Sequence, residues 1–374
     1  MDLHQYFAPY VFDGKTSSHN DLLSSCVSFF DKNNKDDIYS YDIFIFGVPE
    51  GRLSIQNETC AFAPDEIRSS LYALYRGGWS KKVIDLGNLM LGDTIQDTYI
   101  VLEKLTAHFI EKGKIMIVLG GGHDLISPIY KGYCTHRNPL YFASADASLD
   151  FQDNNNFHSR SFLSELLNSE EGMLSKYCLF GYQTYLCSPQ ELKLMEQMDF
   201  NLIRLGELNQ DIKEMEPYLR EIDHLSIDLA VLKSSEAPAT NYSSPNGITA
   251  ESLCVLLRYA GLSSRVTSIL LSELNPRLDR NSQSAKVYAQ AIWYFIDGCH
   301  HRVYDLPNST ESEFKKFYVD SELSDLVFYK CINTERWWVD IPSSFKNKDK
   351  SFLPCSYSDY KKALHGEISD RILK

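Results

Sequence analysis

The feature that most limits how this chain can fold is a series of short apolar runs, each cut off by a glycine, a serine or an acidic residue. They are Ile43 to Phe46, Lys114 to Leu119, Leu140 to Ala145, His224 to Ile227 and Val266 to Leu271. Runs of this length, apolar almost throughout, are the pattern of strands buried on both faces of a parallel sheet. Helical patterns lie between them. The clearest runs from about Ile95 to Lys112, with Asp93 or Thr94 as cap, Thr98, Val101, Leu102, Leu105 and Phe109 at helical spacing, and Gly113 as stop. A second covers about Thr249 to Ala260, with Gly261 expected to close it. Alternation of this kind predicts a three-layer α/β/α fold around a mostly parallel sheet.

In such sheets ligands bind where loops leave the carboxyl ends of the strands. That rule brings together Gly120 to Asp124 (GGGHD), Asp146 to Asp150 (DASLD), Ser226 to Ala230 (SIDLA) and Ser272 to Pro276 (SELNP). Asp146, Asp150 and Asp228 then fall close to one another. Three carboxylates cannot all ionise side by side unless a cation or a Lys/Arg tip compensates them. One histidine with carboxylates is a hard, mainly oxygen donor set, suited to Mn²⁺ or a similar divalent ion.

These segments, in this order and spacing, resemble the ureohydrolase superfamily of arginase, agmatinase and formimidoylglutamase, whose members carry GG-x-H, D-A-H-x-D, S-x-D-x-D and E-x-N-P after successive strands. The resemblance runs from about Ile43 to Arg302 and includes Gly47-Val48-Pro49 and the helix-opening stretch Ala63-Pro64-Asp65-Glu66-Ile67-Arg68. It implies an arginase-like sheet of about eight strands. It also implies that His123, Asp146, Asp150 and Asp228 are ligands of a first metal. The second metal of the family shares Asp146 and Asp228 and adds a histidine and an aspartate, but those two positions here are Ser148 and Ala230. The resemblance therefore implies one Mn²⁺ at most, or none. Glu273 matches the carboxylate that holds a substrate guanidinium, and His158 matches a proposed proton shuttle. Asp150, His158 and Glu273 form the candidate catalytic set.

Each segment also has a plainer explanation. GGGHD can be a tight turn with a structural histidine, the aspartates can cap turns or form Asx-turns, and Glu273 can pair with Arg277. His158 can be an ordinary loop histidine. Gly120 to Gly122 lacks the spacing of a phosphate loop. The net charge of −13, with no Lys/Arg-rich run, removes the electrostatic basis for nucleic-acid binding. No stretch is apolar for long enough to span a bilayer and no leader-like segment opens the sequence, so a soluble, cytoplasmic protein without a membrane partner is expected. Nine cysteines, none in a C-x-x-C pair, suggest reduced thiols that mostly fill the core.

Residues 1–302 are expected to form the ureohydrolase-like domain and 303–374 a C-terminal extension packed on it. The extension contains a hairpin of Leu326 to Ile332 and Arg336 to Ile341 turning at Asn333-Thr334-Glu335, and a mobile loop at Lys346 to Lys350. Trp337 and Trp338 either line a pocket or belong to a strand that covers the core. Two functions stay open. One is a divergent hydrolase that cleaves a C–N bond of a formimidoylglutamate-like or guanidino small molecule with weak activity. The other is a catalytically inactive protein that keeps the fold for ligand binding or assembly. Because family members commonly form trimers or hexamers, a homo-oligomer is expected.

Overall fold

A computed structural model of the chain describes all residues except 12–20, 32–36, 138, 152–156, 170–173, 308–312, 321–324, 342–351 and 374. The stretch Lys346 to Lys350, expected to be a mobile loop, lies outside the described residues.

The central sheet has ten strands: β1 (Phe7–Ala8), β2 (Val27–Phe29), β3 (Ile43–Gly47), β4 (Val83–Leu89), β5 (Ile115–Leu119), β6 (Leu140–Ala145), β7 (Leu174–Tyr182), β8 (Asn201–Arg204), β9 (His224–Asp228) and β10 (Ser268–Ser272). From β4 to β8 they lie in the order β4-β3-β5-β10-β9-β6-β7-β8, all neighbours parallel. Short β1, antiparallel, and β2, parallel, both add to β4 at one edge. The five apolar runs of the sequence became β3, β5, β6, β9 and β10, and every residue of these strands is buried.

Helices cover both faces. One layer holds Ala63–Leu71, Ala250–Leu262 and Gln283–His300, which bury Ile67, Leu71, Leu253, Leu257, Ile292 and Phe295 against the sheet. The other holds Ile95–Glu111, Ile126–Cys134 and Phe162–Asn168, through Leu102, Phe109, Ile129 and Leu163. Ile95–Glu111 starts as its sequence demands, with a capping box in which Thr94 and Asp97 satisfy each other's backbone amides. It ends before Gly113, whose φ of +63° suits a residue without a Cβ.

Gly261 has a different role from the stop expected of it: the helix runs through it to Leu262. A Cβ on Gly261 would lie 2.3 Å from the Phe295 carbonyl oxygen, and one on Gly298 would lie 2.4 Å from that of Arg258. The two glycines let Ala250–Leu262 and Gln283–His300 approach backbone to backbone.

Beyond residue 302 a second, antiparallel sheet contains β11 (Phe314–Val319), β12 (Leu326–Cys331), β13 (Trp337–Asp340) and β14 (Phe352–Cys355). β12 and β13 form the anticipated hairpin, with Glu335 at positive φ in the turn. Trp337 and Trp338 are both buried strand residues. The buried Arg220 guanidinium ties this sheet to the helical layer, donating to the carbonyls of Trp337 and Cys355 at 3.0 Å each. All nine cysteines are free thiols, and all but Cys26 and Cys134 are buried. Among the described residues no helix is long and apolar enough to cross a membrane.

Gly261→Val should destabilise the protein by about 2–3 kcal/mol, the usual cost of overpacking a closed interface. Urea unfolding checks this, and an unchanged midpoint would contradict the close helix contact.

Candidate metal centre

The four strand-terminal segments leave four adjacent strands. GGGHD follows β5, SELNP follows β10, Asp228 ends β9 and DASLD follows β6, in the same order as the strands lie in the sheet. Adjacency converts separation in sequence into proximity. One ligand atom each from His123, Asp146, Asp150 and Asp228 fall within 4.8 Å of one another, and all four residues are buried.

His123 Nδ1 faces the three carboxylates, 3.0 Å from Asp150 Oδ2 and 3.6 Å from both Asp146 Oδ2 and Asp228 Oδ2. Its other nitrogen, Nε2, lies 2.8 Å from Ser226 Oγ, itself 2.7 Å from Ser144 Oγ. An Nε2–H donated to Ser226 leaves the Nδ1 lone pair directed at the carboxylates, the tautomer that a metal ligand needs. Phe162 packs on the ring, with centroids 4.6 Å apart.

The plainer explanations of the aspartates coexist with this arrangement. Asp146 Oδ1 accepts from the Ser148 amide at 3.1 Å, an Asx-turn, and Asp228 Oδ1 accepts from the Ala230 amide at 2.7 Å, capping a short 3-10 turn. In each case one carboxylate oxygen shapes its own loop and the other points at His123. The donor set therefore fits one divalent cation: an imidazole with a free lone pair and three carboxylates, each with an oxygen directed inward. The Ser148/Ala230 flank is different. Ser148 offers a hydroxyl that lies 3.5 Å from Asp150 Oδ1 and accepts from the Arg160 Nη2 at 3.2 Å. Ala230 has no side-chain donor atom. Neither residue offers an imidazole or a carboxylate.

Burial makes charge on the aspartates costly. It raises the Asp146 carboxyl well above the usual range, with Asp150 adding to the effect. It does the same to Asp228, with Asp146 adding. Asp150 is pushed up to about 7 by burial, which Arg160 opposes.

Glu273 stands beside the cluster but is already fully engaged. It is 1% exposed, its Oε1 accepts from the His123 amide at 2.9 Å, and its Oε2 accepts from Ser54 Oγ at 2.5 Å and Asn57 Nδ2 at 2.8 Å. Its φ of +61° is a left-handed conformation, unusual for a glutamate. Among the described residues it makes no ion pair with Arg277. His158 hydrogen-bonds within its own loop: its amide donates to Ser161 Oγ at 2.9 Å and its Nδ1 accepts from the Arg160 amide at 3.2 Å. Its buried Nε2 has no hydrogen-bond partner among the described residues, and burial, aided by Arg160, lowers its pKa.

Four residues contribute roles that the sequence does not reveal. Ser226 orients the histidine, Ser54 and Asn57 hold Glu273, and Arg160 reaches Ser148. Each is a common polar residue outside the glycine- or acid-rich segments, or without a distinctive place within them.

The model of the arginase family matches residues 41–297. Formimidoylglutamase of Legionella pneumophila (strain Paris) is 24% identical over 247 residues, covering 63% of this chain and 77% of that protein. Trypanosoma cruzi formiminoglutamase with Mn²⁺ superposes with a TM-score of 0.66 at 20% identity, covering 72% of this chain and 96% of that one. Formimidoylglutamase of Bacillus subtilis does so with a TM-score of 0.70 at 18% identity, covering 79% and 97%.

The buried carboxyls make the cation-free protein sensitive to alkali. In the unfolded chain aspartates ionise near pH 4, whereas folded Asp150 keeps its proton to about 7 and Asp146 and Asp228 are also raised. Between those values the folded form binds more protons than the unfolded form, so stability falls as pH rises. The melting temperature of chelator-treated protein should fall between about pH 5 and about pH 8, with Mn²⁺ opposing the fall. A flat or rising profile would contradict the cluster. Ser226→Ala should weaken Mn²⁺ binding by roughly 10–100-fold, as loss of a ligand-orienting partner usually does, and calorimetric titration measures it.

Proposed function

The chain belongs to the arginase family, and from that premise we propose that it binds one divalent cation, Mn²⁺ by the donor set, through His123, Asp146, Asp150 and Asp228, and slowly cleaves a C–N bond of a small amidine or guanidino compound. The observation that carries this proposal is the convergence of four buried ligand atoms within 4.8 Å. Formimidoylglutamate-like compounds are the first substrates to test, because curated relatives such as the Legionella protein are formimidoylglutamases.

A cation held by His123, Asp146, Asp150 and Asp228 would supply acidification of water and polarisation of the bond to be cleaved. The residues of this chain supply the rest. The Ser144–Ser226 pair fixes the imidazole, and the loops around Asp146 and Asp228 hold their carboxylates in place. The lowered pKa of His158 keeps it neutral, and because its Nδ1 accepts from the Arg160 amide its one ring hydrogen sits on the partner-free Nε2, where it can donate a hydrogen bond to a substrate.

A second reading has its own support. Glu273 already accepts three hydrogen bonds from the protein, and the Ser148/Ala230 flank offers neither imidazole nor carboxylate. Both features suit a protein that binds a cation and a ligand without turnover.

Incubation with formimidoylglutamate, agmatine and arginine in excess Mn²⁺, with assay of formamide, ammonia and urea, separates the two. Slow product release that disappears in His123→Ala supports the hydrolase. Absence of product from all three, in protein that binds Mn²⁺, supports the binding protein.

A further inference from the structure

Arg160 lies in the loop between His158 and the helix Phe162–Asn168, and its side chain turns inward toward the Ser148/Ala230 flank. Its Nη2 donates to Ser148 Oγ at 3.2 Å, and Ser148 Oγ lies 3.5 Å from Asp150 Oδ1, so one hydroxyl separates the guanidinium from the carboxylate cluster. The guanidinium carbon stands 4.3 Å from the centroid of the Tyr242 ring, within the range of a cation–π contact. Tyr242 is itself anchored, its hydroxyl donating to the Ile55 carbonyl at 2.8 Å. The Ser159 amide next to Arg160 donates to the Leu53 carbonyl at 3.0 Å. Both ends of the arginine are therefore held from outside the cluster.

We infer that Arg160 is a built-in counter-cation for the aspartate cluster, and that its guanidinium excludes a second divalent ion from the Ser148/Ala230 flank. The charge arithmetic agrees. Three ionised aspartates with one dication keep about one negative charge in excess, and a guanidinium one hydroxyl away compensates it at close range. Burial on its own would lower the pKa of the arginine, yet Asp150, Asp146 and Asp228 together hold it above the ordinary value. A planar, permanently charged group stacked on an aromatic ring suits this duty better than lysine, whose compact charge is more strongly hydrated. Arg160 on this account is a positioning residue acting on the cluster through Ser148.

The inference rests on the one-cation reading of the site, and the tests keep the two apart. In chelator-treated protein at about pH 8, Arg160→Lys should melt above Arg160→Met and above Arg160→Gln. No metal enters this comparison, so it decides the role of Arg160 even if the chain takes up no Mn²⁺. Lysine melting no higher than both neutral variants would overturn the proposal. In Mn²⁺ titrations Arg160→Met should bind roughly fivefold or more tightly than the unaltered protein, because a nearby like charge is gone; equal or weaker binding would overturn it. Ser148→His with Ala230→Asp should bind one ion while Arg160 is present and two when Arg160→Met is added. Two ions with Arg160 in place would also overturn the exclusion.

Discussion

The organisation of this molecule depends on placing three aspartates and a histidine in one water-poor spot. Isolated buried carboxylates are among the most unfavourable groups a protein can contain, and here Asp146, Asp150 and Asp228 are all buried around His123. A fold tolerates such a cluster only if something neutralises it and something else holds it in place. Neutralisation falls to protons in the bare protein, to a cation when one is bound, and to Arg160. The holding is done by the loops: Asx-type bonds to the Ser148 and Ala230 amides fix two carboxylates, and the serine pair behind His123 fixes the imidazole.

The sheet makes this possible by its strand order. β5, β10, β9 and β6 are neighbours, all parallel, so four loops distant in sequence leave the same edge side by side. Their strands are mostly apolar because helices cover both faces. The close contact at Gly261 and Gly298 belongs to the same scheme, since it seats the helices that follow β9 and β10 in one layer. The carboxylates are thus gathered at the strand ends, with Ser144 and Ser226 inside β6 and β9 supporting the histidine from behind.

Much of this was legible in the sequence, for physical reasons. A strand buried on both faces has to be apolar, so five of the central strands announced themselves. β4 did not, because Asp85 and Asn88 interrupt it. Asp85 is a strand residue made tolerable by the buried Arg68, which donates to both of its oxygens at 2.8 and 3.0 Å. β7 begins with Leu174-Ser175-Lys176, partly exposed, which blurs its apolar stretch, and β8 is only four residues long. Gly261 showed that a glycine near the end of a helical pattern is ambiguous, since helix-to-helix approach and helix termination leave the same mark. The ligand residues were readable because their spacing is fixed by strand ends. Arg160 was not, because it reaches Ser148 across a loop, and only three-dimensional placement reveals that. The occupied carboxylate of Glu273 was hidden for the same reason: its partners Ser54 and Asn57 are more than 200 residues away in sequence.

The number of ions that each chain binds is the decisive quantity. Purified protein loaded with excess Mn²⁺, freed of unbound metal, and analysed by elemental analysis together with an anomalous-scattering map gives that count and its position directly. One ion per chain, lying between His123 and the three aspartates and lost in His123→Ala, is the predicted result. Two ions per chain, or none, would contradict it.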